Sequence, residues 1–200
     1  MSTSRLEAFS DGVIAILITI MVLELRVPTG SGWTAIRPLL PILLAYVLSF
    51  VFLGIYWNNH HHTFTAVTRV SGGVLWSNLH LLFWLSLVPF VTRWMDETGF
   101  ASVPTAMYAG VLMMAAIAYT IMIVAVVRVE GRDSAFTRAL GRDIKGKVSL
   151  GCYVVAIPLA FVWPPLALAL CALVALMWLV PDRRFEPRVI RSDEVGAGRS

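Results

Sequence analysis

Ionisable and hydroxyl side chains are sparse in the apolar runs of this chain, so each one found there is a candidate for function. Asp11 and Glu24 bracket the first run, FSDGVIAILITIMVLEL, with only twelve uncharged residues between them. At 1.5 Å per residue those twelve reach roughly 18 Å, short of the ~30 Å hydrocarbon core. A carboxylate at each end suits a bundle interior or a water-filled cavity better than lipid tails. Between them Ile16, Thr19, Ile20 and Leu23 fall at i, i+3, i+4 and i+7, hence on one helix face. The plainer reading of that spacing is an aliphatic packing seam.

Three histidines, His60, His61 and His62, are consecutive in WNNHHHTF. Successive helical residues point about 100° apart, so the three do not share a metal-binding face; ligating histidines on a helix favour i and i+4. Hydrogen bonding, headgroup contact or titration near neutrality are the chemistries open to them. Ser10 has no base beside it in sequence, and GxSxG, HExxH and phosphate-cradling motifs are absent, so no enzyme is expected. Neither is there a TVGYG-type segment to supply rings of backbone carbonyls, so any ion path must be formed by side chains. Cys152 and Cys171 stand alone in apolar runs, which gives no disulfide framework or zinc site. No cofactor is expected.

The elements that must position these residues are membrane helices. Of 200 residues 58% are hydrophobic and 14% charged, more apolar surface than a soluble domain of this size can hide. Six apolar runs stand out, at 9–25, 38–57, 74–92, 104–127, 148–163 and 165–180. The first lacks a small-residue cleavage site and has Glu7 and Asp11 near its start, so it reads as retained. The third carries Asn78, His80, Ser86 and Pro89, polar and helix-breaking groups that call for neighbouring helices. The last two runs, separated by WPP, are about 24–26 Å each and marginal as spans. The connector 128–147 reads as solvated with one short helix. Residues 1–181 form the helical domain, and 182–200 read as a basic disordered tail in reach of anionic headgroups.

Six crossings sort the sixteen basic residues unevenly. One side receives Arg5, Arg69, six between Arg128 and Lys147, and five from Arg183 onward; the other receives only Arg26, Arg37 and Arg93. The positive-inside rule then places both termini in the cytoplasm of a multi-pass protein. A re-entrant final hairpin would give the same count. The net charge of +4 is small and lies in loops and tail, which gives no nucleic-acid stripe.

Several of these residues fall into an ordered set. Arg5, Phe9, Ser10, Asp11 and Gly12 make R-x-x-x-F-S-D-G ahead of an aliphatic helix. Trp57, His60, His61 and Phe64 make W-x-x-H-H-x-x-F, and Asn78, Leu82, Phe83, Ser86, Pro89 and Phe90 complete the pattern in the third run. Over about residues 5–180 the chain resembles the bacterial branch of the transmembrane-protein-175 potassium channel family. The resemblance implies an all-α membrane protein with six helices per subunit and a homotetramer whose first helices surround a central pore. It implies a hydrophobic constriction at Ile16, with Ile20 and Leu23 as further layers, and a selectivity-linked threonine at Thr19. It also implies a polar network joining Arg5, Ser10 and Asp11 to Trp57, His60, His61 and Asn78. Asp11 and Glu24 are then candidate pore-mouth charges, potassium and other monovalent cations are the permeants, and the location is a prokaryotic plasma membrane.

Rival readings differ in what they require. A proton or solute transporter needs an intramembrane ionisable residue on its path, for which His80 is the candidate. A noncatalytic assembly protein needs only that the seam pack helices.

Overall fold

The computed structural model describes residues 2–131, 133–140 and 143–179, and all regular structure among them is helical. The expected tail from 182 onward lies outside the described residues. Among these residues eight α-helices follow in order, with short 3-10 turns at Trp33–Ala35 and Arg37–Leu39 ahead of the second: α1 (Thr3–Leu23), α2 (Leu40–Thr65), α3 (Gly72–Ser86), α4 (Val88–Glu97), α5 (Ser102–Glu130), α6 (Ala135–Leu140), α7 (Ile144–Val162) and α8 (Pro164–Leu179). Five helical segments, with α3 and α4 taken together, are long and apolar enough to cross a membrane; α8 is apolar but shorter, at 16 residues.

Two expectations from the sequence need correction. The first run looked too short to span, but α1 has 21 residues, about 31 Å at helical rise, because its helix starts six residues before Phe9. Asp11 therefore lies within the helix, and only the uncharged stretch is short. The third run, expected as one helix, is interrupted at Leu87 and resumes at Val88 with Pro89 in its first turn. Proline has no N–H to give the Leu85 carbonyl, so the helical ladder breaks there. Ser86 at the junction donates its hydroxyl to the Phe83 carbonyl at 2.7 Å.

Local sequence sets the other boundaries. Ser71 caps α3 by accepting from the Val74 N–H, and Asp143 caps α7 by accepting from the Gly146 N–H at 2.8 Å. Between α4 and α5 the chain reverses through two left-handed residues, Gly99 (φ 60°) and Phe100 (φ 62°). The Phe100 N–H reaches back to the Met95 carbonyl at 2.7 Å, which holds a bulky residue in a conformation that usually calls for glycine. Pro28 follows α1 closely and cannot extend it.

The long α5 is the axis of the bundle, in contact with α3, α4, α7 and α8, and its small residues Ala106, Ala109, Ala115 and Ala118 are buried at those crossings. Small side chains let helix backbones approach closely, the main source of packing energy where lipid replaces water. Hydroxyl contacts cross the same interfaces. Ser49 on α2 meets Thr92 of α4 at 2.8 Å and Tyr108 of α5 at 3.0 Å, Thr63 meets Tyr119 at 3.0 Å, and the Trp178 indole donates to Ser149 at 2.9 Å. At one end of the bundle the Glu130 carboxylate accepts the N–H groups of Thr68 and Arg69, at 2.8 and 3.0 Å, together with the Thr68 hydroxyl. That clasp ties the α2–α3 turn to the end of α5.

Candidate functional site

Helix α1 lies at the edge of the bundle against α2, α3 and α4. Its two faces are about equally apolar, so packing, not hydrophobicity, distinguishes them. Leu6, Ser10, Ile14, Leu17 and Met21 are buried against the neighbouring helices. The other face stays open: Ile16 is 58% exposed, Ile20 40% and Leu23 81%, and Thr19 is also exposed. Ala8, Gly12 and Ala15 flank this face and are exposed too, with nothing within 4 Å of where a Gly12 side chain would begin. Thr19 donates its hydroxyl to the Ile16 carbonyl at 2.9 Å.

Residues of the opening, histidine and third-run motifs meet across three helices. The Ser10 hydroxyl donates to the Leu6 carbonyl at 2.9 Å, the Asn78 amide donates to Ser10 at 3.0 Å, and the Asn78 oxygen lies 2.8 Å from His60 Nε2. Each direction fixes the next: Asn78 presents its oxygen to the ring, so His60 Nε2 carries the proton and donates. The remaining ring nitrogen, Nδ1, is buried without a partner. Ser10, His60 and Asn78 are all fully buried, so this relay joins α1, α2 and α3 in the interior.

A second, more exposed row runs beside it. The Trp57 indole donates to Asp11 at 3.0 Å, and His61 Nδ1 lies 2.7 Å from the Glu7 carboxylate. The Trp57 and His61 rings stack at 6.1 Å. Arg5, expected in this network, is exposed and its side chain makes no hydrogen bond or ion pair with another described residue, and the donor to Asp11 is an indole instead of an arginine or a histidine. On a helical projection Asp11 points about 140° away from Ile16, whereas Arg5 falls within about 20° of it. His60, His61 and His62 point to different surroundings, and no group of three or more metal-ligating side chains converges among the described residues.

At the other end of α1, charges pair across to α4. Glu24 lies 3.9 Å from Arg93, Arg93 Nε donates to Glu97 at 2.9 Å, and Arg26 pairs with Asp96 at 3.2 Å. An open cleft of about 560 Å³ separates the helices here, lined by Ile20, Glu24, Phe90, Arg93, Trp94 and Glu97 among others. In the middle of α3, His80 Nε2 accepts the Trp84 indole N–H at 2.9 Å. An indole only donates, so that nitrogen is a lone pair in this arrangement.

Glu7, Arg93, Asp96 and Glu97 were not singled out from the sequence. Glu7 falls one turn before Asp11 and so shared its side of α1, a signal that was present. The acids and base of α4 lie beyond the apolar run 74–92, which hid their place on a helix.

Comparison with known proteins points to one channel family. A family model described as the endosomal/lysosomal potassium channel TMEM175 matches residues 5–89, the stretch holding both polar rows. Over 186 residues the chain is 52% identical to a protein of Chryseobacterium sp. (strain P1-3) named a potassium channel, covering 93% of this chain and 97% of that one. A second protein so named, from Streptomyces collinus, is 34% identical over 187 residues, 88% of this chain and 91% of its own. Among solved structures, the crystal structure of a lysosomal potassium-selective channel TMEM175 homolog from Chamaesiphon minutus superposes with a TM-score of 0.70 at 31% identity, covering 88% of this chain and 96% of that one.

Proposed function

Because the chain belongs to the bacterial TMEM175-type potassium channel family, whose members are ion channels and not enzymes, we propose that it is a potassium-preferring cation channel with α1 lining its pore. The observation that carries this reading is the open face of α1. Ile16, Thr19, Ile20 and Leu23 are exposed along one side while the opposite side is anchored by buried packing and the Ser10–Asn78–His60 relay. One copy cannot enclose a path, so four copies arrange their α1 helices around a shared axis, with Ile16 as the narrowest ring and Ile20 and Leu23 as further apolar layers. Such rings offer nothing to replace an ion's hydration shell and close by dewetting.

In this arrangement Asp11 docks α1 onto α2, since it points away from the Ile16 face and is held by Trp57. Glu24 is the mouth charge. Both termini lie in the cytoplasm of a prokaryotic cell, as the segregation of basic residues suggests. Supporting this, Arg26 and Arg93 share one end of the bundle, while Arg69 sits at the Glu130 clasp, at the end where Glu7 meets His61. The transporter alternative loses support because its candidate, His80, is engaged by Trp84 on its own helix.

Potassium flux into liposomes holding only the purified protein tests the reading. Flux above empty liposomes is expected, and Ile16→Asn is expected to raise it by hydrating the ring, by on the order of ten-fold if the change lowers the barrier by about 1.4 kcal/mol. Wild-type liposomes no leakier than empty ones would overturn the channel reading. An unchanged flux in an assembled Ile16→Asn protein would overturn the constriction.

A further inference from the structure

Where α1 meets α4, Arg93 faces two carboxylates and a second base pairs beside it. Arg93 donates to Glu97 on its own helix at 2.9 Å and lies 3.9 Å from Glu24 on α1, while Arg26 and Asp96 pair beside them at 3.2 Å. Three acids and two bases leave each subunit one negative charge in excess. The Arg93 side chain is 56% exposed and borders the open cleft that Ile20 and Glu24 also line, so its charge reaches the water next to the open face of α1.

We propose that Arg93 tunes conduction: it offsets Glu24 and Glu97 and thereby sets how strongly this mouth of the pore concentrates cations. The inference rests on the channel reading above and deepens it. A mouth lined with unbalanced carboxylates raises the local cation concentration and the rate of entry, whereas a guanidinium among them lowers both. Because the group is solvated, its influence extends over the Debye length, about 30 Å at 0.01 M salt and about 3 Å at 1 M. Arg93 therefore governs entry in dilute salt and hardly matters in concentrated salt. Its hydrogen bond stays within α4, and its contact with α1 is the 3.9 Å ion pair with Glu24.

The test is single-channel conductance of the assembled protein in planar bilayers at about 0.01 M and 1 M potassium chloride. Arg93→Gln should raise the low-salt conductance about two-fold or more and leave the 1 M value unchanged. Arg93→Lys keeps the charge and should match wild type at both salts. Glu97→Gln, a solvent-facing change that leaves α1 untouched, should lower the low-salt conductance and keeps the inference testable if Arg93→Gln fails to assemble. Arg93→Gln equal to Arg93→Lys at low salt, or Glu97→Gln equal to wild type, would overturn it. A wild-type protein that conducts alongside such flat variants refutes this inference alone; a wild-type protein that does not conduct refutes the channel reading beneath it.

Discussion

Thr19 is the polar residue in the exposed Ile16–Leu23 row of α1, and its hydroxyl proton is already committed to the Ile16 carbonyl. Donation inward leaves the oxygen's acceptor capacity facing outward, the orientation a partly dehydrated cation requires. Thr19→Val removes that oxygen at nearly constant shape and is expected to reduce the preference for potassium over sodium. Thr19→Ser keeps the oxygen and should preserve it. Reversal potentials under bi-ionic conditions measure both, and a Val variant with an unshifted potential would return Thr19 to helix packing. The sequence put Thr19 on the same face as Ile16 by spacing alone. Its bond was not legible there, because a threonine's choice between its own helix and a neighbour depends on rotamer and packing.

At the scale of elements, α1 is fixed by two rows of contacts that differ in burial. The inner relay from Ser10 through Asn78 to His60 has no solvent to fall back on, while the outer contact of Trp57 with Asp11 is partly exposed. Asp11→Asn retains an acceptor for the indole, so it should cost less than about 1 kcal/mol and leave low-salt conductance near wild type. Asp11→Leu removes a charge-assisted hydrogen bond, worth about 1.5–3 kcal/mol, and should lower the thermal midpoint in detergent. A marked low-salt conductance loss in a stable Asp11→Asn protein would make Asp11 a mouth charge after all. Ser10, Asp11, Trp57, His60, His61 and Asn78, with Arg5, were gathered through the family resemblance their motifs carry. Which pairs formed could not be read there, since a rotation of one helix by a single residue exchanges every partner. The break at Leu87 was also in view, in Pro89, but the apolar run continued through it and masked the boundary.

For the whole molecule, the edge position of α1 is the feature with most bearing on assembly. Ala8, Gly12 and Ala15 lie exposed beside Ile16, and small residues of this kind let helices of adjoining copies approach closely. Four copies per particle are expected by native mass spectrometry from mild detergent, and a particle of one or two chains would overturn the four-fold pore. Composition made a membrane protein legible and the long apolar runs suggested helices, while the all-α six-helix fold came from the resemblance. The central place of α5 was not legible, as its alanines and methionines read equally well as lipid-facing. The clasp of Glu130 on the Thr68 and Arg69 amides adds an order in time. A ribosome delivers α1 to α4, with their polar rows, before it reaches residue 130. The turn between α2 and α3 thus waits for a carboxylate made some sixty residues later. The end of α5 is a latch that closes behind the helices made before it.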